Sequence, residues 1–389
     1  MNGPGRPLWG SGPPERGRMP AMGTPLDYRT FGRKKLETVL TGLRLSHRLP
    51  AAERLFALLG ATWRGHPVGH EPAWPSALSF DGTPFELSVS LPGAEPIIGI
   101  RTEARLAPFD LESNWKTGLA LTRTLAELDG VSVERFERVA PLFAPKGGSA
   151  SRMAIWHGGT VRPDGSLSFE VFLDAQSGGA ELAPTRVSEA LALLDVDYGC
   201  DELVPKLAPW SELRALSLEL SAGADARVTV HVAHPHATAT DVDLVVRDDS
   251  GYSPRLAQSW IEELTGSGEP LSAEPVMTRH SFRGALHAAE VTVEVPTAAY
   301  ARSDAESLRR ARYVLGCHAT RVLSGVMAMA ERPLDRRASV VRAMSLTPAA
   351  YGTRVALELA AEAHSTPRER RLHVSEPFLQ QHGVVTGAA

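Results

Sequence analysis

Acidic side chains and one histidine recur within segments of the chain whose polar and apolar residues alternate. They are Glu86 in PFELSVSL, Glu170 in LSFEVFLD, His231 in ARVTVHVAH, Glu294 in AEVTVEVP and Glu358 in TRVALELAAEA. Alternation is typical of a β-strand, in which every second residue shares a face. If these strands are neighbours, the carboxyl groups lie close together, which raises some of their pKa values and suits general acid–base chemistry near neutral pH. A solvent-facing glutamate on an exposed strand is the alternative at each position.

Three histidines in the same region offer a metal-binding alternative. His231, His234 and His236 form an HxxHxH segment, but Pro235 interrupts the strand and no acidic or cysteine partner has helical spacing. Zinc is not expected either, because neither Cys200 nor Cys317 is part of a CxxC pair. The sequence contains no GxxxxGK[ST], GxGxxG or GxSxG segment. No metal site is therefore predicted.

The composition excludes several classes of protein. The 389 residues are 43% hydrophobic and 22% charged, and 41 basic against 45 acidic residues give a formal net charge of -4. A nucleic-acid-binding surface is not indicated. No apolar run reaches the roughly eighteen residues of a membrane span. A chain with 2 cysteines fits a reducing compartment, which predicts a cytoplasmic protein.

Helical and strand patterns alternate along the chain. Residues 33–60 show apolar spacing of three and four, interrupted near Pro50, and predict two helices; residues 304–329 predict one long helix. Between the helical stretches, pairs of alternating segments are joined by short turns such as PGAE and VRPDG. Tight turns require antiparallel pairing, so each pair is a predicted hairpin. The repeat occurs about five times, which implies about ten strands.

A sheet of this size removes its exposed edges by closing into a barrel with the helices outside. The polar face of each strand then points into the barrel, which forms a reaction chamber. An open α+β sheet with helices on one face is the alternative. We expect a disordered Gly- and Pro-rich arm over residues 1–27, a single barrel domain over 28–375, and a flexible tail over 376–389.

Five segments, in order, resemble aromatic prenyltransferases of the dimethylallyltryptophan-synthase type. The length and the sequence of the chain resemble the actinobacterial branch of that family. The segments are DGTPFELSVSL, SFEVFLDAQSGGA, LSLELSAGADARVTVHVAH, VEVPTAAYARSDA and RVALELAAEA, which span roughly residues 40–365. The resemblance implies the family's fold, a closed antiparallel β-barrel ringed by helices (the ABBA barrel, of α/β class). It also implies a metal-independent, cofactor-free alkylation of an indole-containing natural product by dimethylallyl or a longer prenyl diphosphate. The implied protein is a monomer or a homodimer.

The resemblance assigns roles to particular residues. Glu86 occupies the position of the glutamate that accepts the indole N–H bond. Arg227 matches an arginine of the family's diphosphate-binding site. Arg101 is expected on the inward face of its strand, where it could help Arg227 to bind the diphosphate. The remaining cradle and shield positions, expected to line the lumen, carry other residues. These are Glu170, Phe172, Thr229, His231, Thr292, Glu294 and Glu358, with Trp156 and Tyr300 as further aromatic candidates.

Two functions beside prenyl transfer follow from these replacements. Carboxylates at positions 170, 294 and 358 would repel a diphosphate by about 1–4 kcal/mol per close contact. A wall of acids with a histidine instead suits acid–base cyclisation or rearrangement without a diphosphate. The third hypothesis is a non-catalytic protein that binds a cationic ligand.

Overall fold

A computed structural model describes residues 26–364 apart from residues 70, 73–74, 94, 146–152, 224, 248, 250, 285–289, 331–332, 336–339 and 350–351. The predicted arm and tail lie outside the described residues, with the exception of Leu26 and Asp27. These two residues belong to the fold. The carbonyl of Leu26 accepts a hydrogen bond of 2.7 Å from the backbone of Val68. The carboxylate of Asp27 accepts one from the backbone of Thr30, which caps the first helix.

Ten antiparallel strands form one closed sheet. They are β1 (Phe85–Leu91), β2 (Ile97–Glu103), β3 (Ile155–Val161), β4 (Leu167–Asp174), β5 (Glu212–Glu219), β6 (Val228–His234), β7 (Val276–Phe282), β8 (Glu290–Val295), β9 (Val341–Ala349) and β10 (Gly352–Ala360). Each strand pairs with its neighbours in sequence, and β1 pairs with β10 to close the barrel, with Glu86 opposite Ala360. The closed barrel that the sequence predicted is therefore confirmed, and the open-sheet alternative is wrong.

Helices cover the outside of the barrel and connect the hairpins at one of its ends. They are α1 (Tyr28–Gly42), α2 (Leu49–Leu59), α3 (Leu111–Leu125), α4 (Glu134–Val139), α5 (Ala183–Leu193), α6 (Tyr198–Leu203), α7 (Ala239–Val246), α8 (Leu256–Thr265), α9 (Thr297–Tyr300), α10 (Asp304–Leu315) and α11 (Ala319–Met329). The single helix predicted over residues 304–329 is wrong, because Gly316 adopts a φ of 52° and separates α10 from α11. Among the described helices, none combines the length and the apolarity that crossing a membrane requires.

The two faces of the sheet differ as the alternation predicts. Leu87, Val89 and Ile98 point outward and are fully buried under the helices. Phe85, also outward, stacks on Trp63 with ring centroids 5.5 Å apart. Burying each such side chain stabilises the fold by about 1.5–3 kcal/mol. The helical layer is thus held to the outer face, and the opposite, polar face of every strand is turned into the enclosed space, here called the lumen.

Two glycines let α1 and α11 cross at backbone contact. A Cβ atom added to Gly42 would lie 2.5 Å from the Cα of Gly325, and one added to Gly325 would lie 2.9 Å from the side chain of Leu43. Such distances are shorter than any tolerated carbon–carbon contact, so a side chain at either position forces the helices apart.

We expect Gly42→Ala to lower the free energy of unfolding by about 1–3 kcal/mol, because the added methyl group meets backbone that cannot rotate away. Denaturant unfolding measures the change. Gly65→Ala is the matched control, since a Cβ at that position meets nothing within 4 Å. Equal destabilisation by both variants would show that the helix crossing is not the cause.

Candidate active site

The sequence-predicted residues converge on the lumen because they share one parity in adjacent strands. Glu86 lies opposite Arg101 in the β1–β2 pair, and Glu170 lies opposite Gly158 in the β3–β4 pair. The inward set continues with Trp156, Phe172, Thr229, His231, Thr292, Glu294 and Glu358. The register of the strands therefore puts these residues on one face of the sheet, as expected for a period of two.

Glu86 lies at the centre of a network that we call the lumen ion cluster, composed of Arg101, Arg279, Arg342, Glu86, Glu294 and Glu358. The Glu86 carboxylate is fully buried. It accepts hydrogen bonds of 2.7 Å from Arg101 and 2.9 Å from Arg342, one on each oxygen. Each carboxylate oxygen has two lone pairs, so each retains one acceptor site.

The other members complete the cluster. Arg279 lies 2.9 Å from Glu294, and Arg342 donates to the same carboxylate at 3.3 Å. Glu358 lies 3.7 Å from both Arg101 and Arg279. These ion pairs join strands β1, β2, β7, β8, β9 and β10, so the cluster spans the lumen instead of following one strand.

The sequence predicted a lumen wall with an excess of negative charge, and this prediction is wrong. The three glutamates of the cluster are matched by three arginines, so the ionised cluster is neutral. The sequence interpretation omitted Arg279 and Arg342 and therefore counted carboxylates without their partners. The side chains are 17% exposed for Arg101, 18% for Arg279 and 13% for Arg342. Because these positions face inward in a closed barrel, their exposed surface faces the lumen.

Burial and ion pairing act in opposite directions on the two carboxylates that share Arg342. Burial raises the pKa of Glu86 above its ordinary value, although Arg342 and Arg101 oppose the shift. For Glu294, burial also disfavours the charge, but Arg279 and Arg342 outweigh it and lower the pKa to about 2. Glu294 is consequently an ionised structural partner of the arginines, whereas Glu86 can exchange a proton more readily.

A second polar group lies beside the cluster, nearer the hairpin turns. The Ser217 hydroxyl lies 2.8 Å from Glu170, to which it donates, and 2.9 Å from the His231 ring. Arg227 lies 3.8 Å from Glu170. Burial and the nearby Arg279 hold the pKa of His231 well below its usual range, so the imidazole is neutral. Arg227 thus has Glu170 as its neighbour, and its role in binding the diphosphate stays a prediction.

Aromatic rings cover one side of the lumen. The Phe172 ring lies over Gly158, where an added Cβ would be 3.1 Å from it, and this gap lets the ring reach Arg101. The Arg101 guanidinium lies 4.8 Å from the Phe172 centroid, a cation–π distance. Trp156 is the cross-strand neighbour of Phe172. Phe172 and Trp156 therefore lie side by side on the inward face, and their role as walls that shield a cation stays a prediction.

The remaining candidates have local partners. Thr229 hydrogen-bonds to Ser281 at 2.9 Å, and Thr292 hydrogen-bonds to Thr347 at 2.6 Å, across neighbouring strands. Tyr300 lies on α9, directly after β8, and its place in the lining of the lumen stays a prediction. Its hydroxyl bonds to the backbone of Glu274, in the segment before β7.

The three histidines of HxxHxH do not share a site. His231 points into the lumen, whereas His234 faces outward, bonds to Thr278 at 2.8 Å and stands beside Trp210. His236 follows the strand in a left-handed conformation. Residues three apart in a strand lie on opposite faces, which separates the rings. Within the described residues, no group of three or more histidine, cysteine or acidic side chains is arranged to hold a metal ion.

Three lumen residues were missed from sequence. Arg279 could have been found from the sequence. If the alternating pattern that begins at His280 is extended back to Val276, Arg279 falls on the inward face. Glu103 has the same parity as Arg101 on β2 and was not considered as a functional group. Arg342 could not have been found in this way. It lies at an irregularity in the pairing of β9 with β10, where the alternation of inward and outward residues is interrupted.

Solved structures with this architecture span almost the whole described barrel. The 5-dimethylallyltryptophan synthase of Streptomyces coelicolor, in complex with DMASPP and Trp, is 27% identical, with a TM-score of 0.79 over 88% of this chain and 98% of that one. The 6-dimethylallyltryptophan synthase of Micromonospora olivasterospora has a TM-score of 0.81 at 23% identity, over 88% and 99%. AnaPT of Neosartorya fischeri has a TM-score of 0.69 at 14% identity, over 87% and 96%. No family model matches the sequence.

Proposed function

We propose that this chain, which has the ABBA barrel of the dimethylallyltryptophan-synthase-type aromatic prenyltransferases, transfers a prenyl group from an allylic diphosphate to an indole-containing acceptor. The observation that carries the proposal is the position of Glu86, a fully buried carboxylate on the lumen wall that pairs with Arg101 and Arg342. Similarity to tryptophan prenyltransferases crystallised with DMASPP and Trp supports both halves of the reaction.

Glu86 is suited to hold the acceptor. Each of its oxygens has a second lone pair beside its arginine bond, so an indole N–H that displaces the side chains covering Glu86 can donate to one of them. Attack on the allylic cation draws electron density from the indole, and the N–H becomes more acidic as it does so. A nearby carboxylate stabilises this developing positive charge, which is the electrostatic contribution expected of the site.

The arginines are suited to hold the donor. A diphosphate carries up to three negative charges, whereas each glutamate carries one. A guanidinium group that moves from a glutamate to the diphosphate is therefore attracted more strongly to its new partner. A single pair of unit charges at 4 Å is worth about 4 kcal/mol at a protein-like dielectric. Arg101 and Arg279 border Glu358 at 3.7 Å, beyond hydrogen-bond distance, so these two contacts are the weakest that a diphosphate would replace. Arg227 adds a further charge from the same wall.

Three finer assignments belong to the same proposal. The reaction proceeds without a metal ion, because the guanidinium groups neutralise the leaving diphosphate in its place. The protein acts in the cytoplasm, which its free thiols at Cys200 and Cys317 favour. The acceptor is an indole-containing natural product of secondary metabolism, such as an alkaloid precursor.

Release of pyrophosphate tests the proposal. Purified protein is incubated with dimethylallyl, geranyl or farnesyl diphosphate and with tryptophan or another indole, and pyrophosphate and alkylated product are both measured. We expect acceptor-dependent pyrophosphate release with an equal amount of product for at least one donor. Folded protein that releases no pyrophosphate with any donor contradicts the proposal.

The neutral lumen ion cluster favours a second candidate, acid–base cyclisation or rearrangement without a diphosphate. Its support is that every arginine of the cluster already contacts a glutamate. This candidate predicts that inorganic pyrophosphate does not bind and that calorimetric titration gives no heat. Saturable binding of pyrophosphate, abolished in Arg279→Met, would contradict it.

A further inference from the structure

Glu103 is a second carboxylate on the lumen face, close to Glu86 but in different surroundings. Arg101 lies directly opposite Glu86, and Glu103 follows two residues later on β2, so Glu86 and Glu103 are diagonal neighbours on one face. Diagonal neighbours in an antiparallel pair lie about 7–8 Å apart at their Cα atoms. An indole ring held at Glu86 by its N–H therefore has Glu103 within reach of its carbon edge.

The two oxygens of Glu103 differ in how strongly they are hydrogen-bonded. The Ser76 hydroxyl donates to Oε2 at 2.7 Å, which orients the carboxyl group. Oε1 is buried without a hydrogen-bond partner. The residue is 1% exposed, and the indole N–H of Trp156, its cross-strand partner, lies close enough to the carboxylate to act as a weak donor that lowers the pKa of Glu103. The carboxyl group is therefore oriented by one strong hydrogen bond and keeps a lone pair that can accept a proton.

The groups around Glu103 make it a better base than the other lumen candidates. It faces Ser76 from the segment before β1, Arg105 from the segment after β2 and Trp156 from β3. Burial raises the pKa of Glu103 to about 7, against smaller opposing effects of Ser76, Arg105 and Trp156. By contrast, Arg279 and Arg342 lower the pKa of Glu294 to about 2 despite its burial, and the pKa of His231 is held well below its usual range. A base works best when its pKa lies near the operating pH.

We propose that Glu103 removes the proton from the alkylated ring carbon, an inference that rests on the proposed prenyl transfer. The donor C–O bond breaks with its electrons on the diphosphate, and the ring carbon bonds to the allylic carbon. The ring C–H bond then breaks, its electron pair restores the aromatic system, and the proton passes to Oε1 of Glu103. Glu86 holds the indole nitrogen throughout, so the two carboxylates have separate tasks.

Replacing Glu103 by glutamine tests this assignment. We expect turnover of Glu103→Gln to fall about 100-fold with little change in acceptor affinity. A primary isotope effect should appear with ring-deuterated acceptor, because deprotonation becomes rate-limiting. In the unsubstituted protein, turnover should fall as the pH drops below about 7, since the base must be ionised, and this limb should vanish in the variant.

Two further variants keep the result interpretable. Glu103→Asp retains the carboxylate and should recover part of the rate together with the acidic limb. Glu112→Gln, on the exposed surface of α3, is the matched control and should leave turnover unchanged. Normal turnover, no isotope effect and an unchanged pH profile in Glu103→Gln would overturn the inference while prenyl transfer stands. Absence of pyrophosphate release from the unsubstituted protein would instead refute the proposed function, and the inference with it.

Discussion

Glu86→Gln is expected to lower the turnover number for prenyl transfer by about 10³-fold, within the range that a positioned acid–base or electrostatic group contributes. The amide keeps the size of the side chain but replaces one acceptor oxygen by an N–H₂ group that repels both the arginine donors and the indole N–H. Turnover with dimethylallyl diphosphate and tryptophan measures the effect. The acceptor dissociation constant should rise as well, because the N–H bond is made in the ground state.

Glu290→Gln is the matched control for this substitution. Glu290 is an acid on β8 whose carboxylate is 46% exposed and pairs with Arg354 near the hairpin turns. Removing its charge should leave turnover unchanged. A Glu86→Gln protein that is folded and fully active would remove Glu86 from the site and withdraw the main support for indole recognition.

Arg342→Met is expected to reduce the free energy of unfolding by roughly 3–5 kcal/mol at pH 7, the usual effect of removing one partner from a buried ion pair. The substitution leaves Glu86 and Glu294 with less compensating charge, because Arg342 contacts both carboxylates. Denaturant unfolding measures the loss. Arg354→Met is the control: its pair with Glu290 is exposed, so a loss below about 1 kcal/mol is expected.

The loss in Arg342→Met should shrink as the solution is acidified. Burial opposes ionisation of Glu294, but Arg279 and Arg342 lower its pKa from 4.5 to about 2, so its ion pairs stabilise the fold above pH 4.5. That contribution disappears as the pH falls from 4.5 towards 2. In Arg342→Met the ion pairs of Glu294 stabilise the fold less, so acidification removes less stability from the variant than from the unsubstituted protein. A difference between the two proteins that stays constant down to pH 3 would show that lost packing, not charge, destabilises the variant.

Charge removal within the cluster offers a second check. Glu294→Gln added to Arg342→Met should recover at least half of the lost stability, since the uncompensated carboxylate is gone. The two residues contact each other, so their effects should not add. Strict additivity would mean that the pair does not interact in the folded protein.

The sequence by itself determined the barrel and the inward set of strand residues. Alternation with a period of two assigns a face to each residue without any knowledge of the neighbouring strands, so Glu86, Glu170, His231, Glu294 and Glu358 could be placed together. Short turns required antiparallel hairpins, and a sheet of about ten strands has few ways to cover its edges other than closure. Both arguments are local, and both held.

Only the tertiary structure decided how the charges inside the barrel are paired. Arg342 is 256 residues from Glu86 in the chain, and it reaches Glu86 through closure of the barrel and an irregularity between β9 and β10. Periodicity assigns a residue to a face but not to a partner. Electrostatic energy, however, depends on the distance between partners. The neutrality of the lumen ion cluster and the separation of Glu103 from the arginines of that cluster therefore emerge only from the folded arrangement.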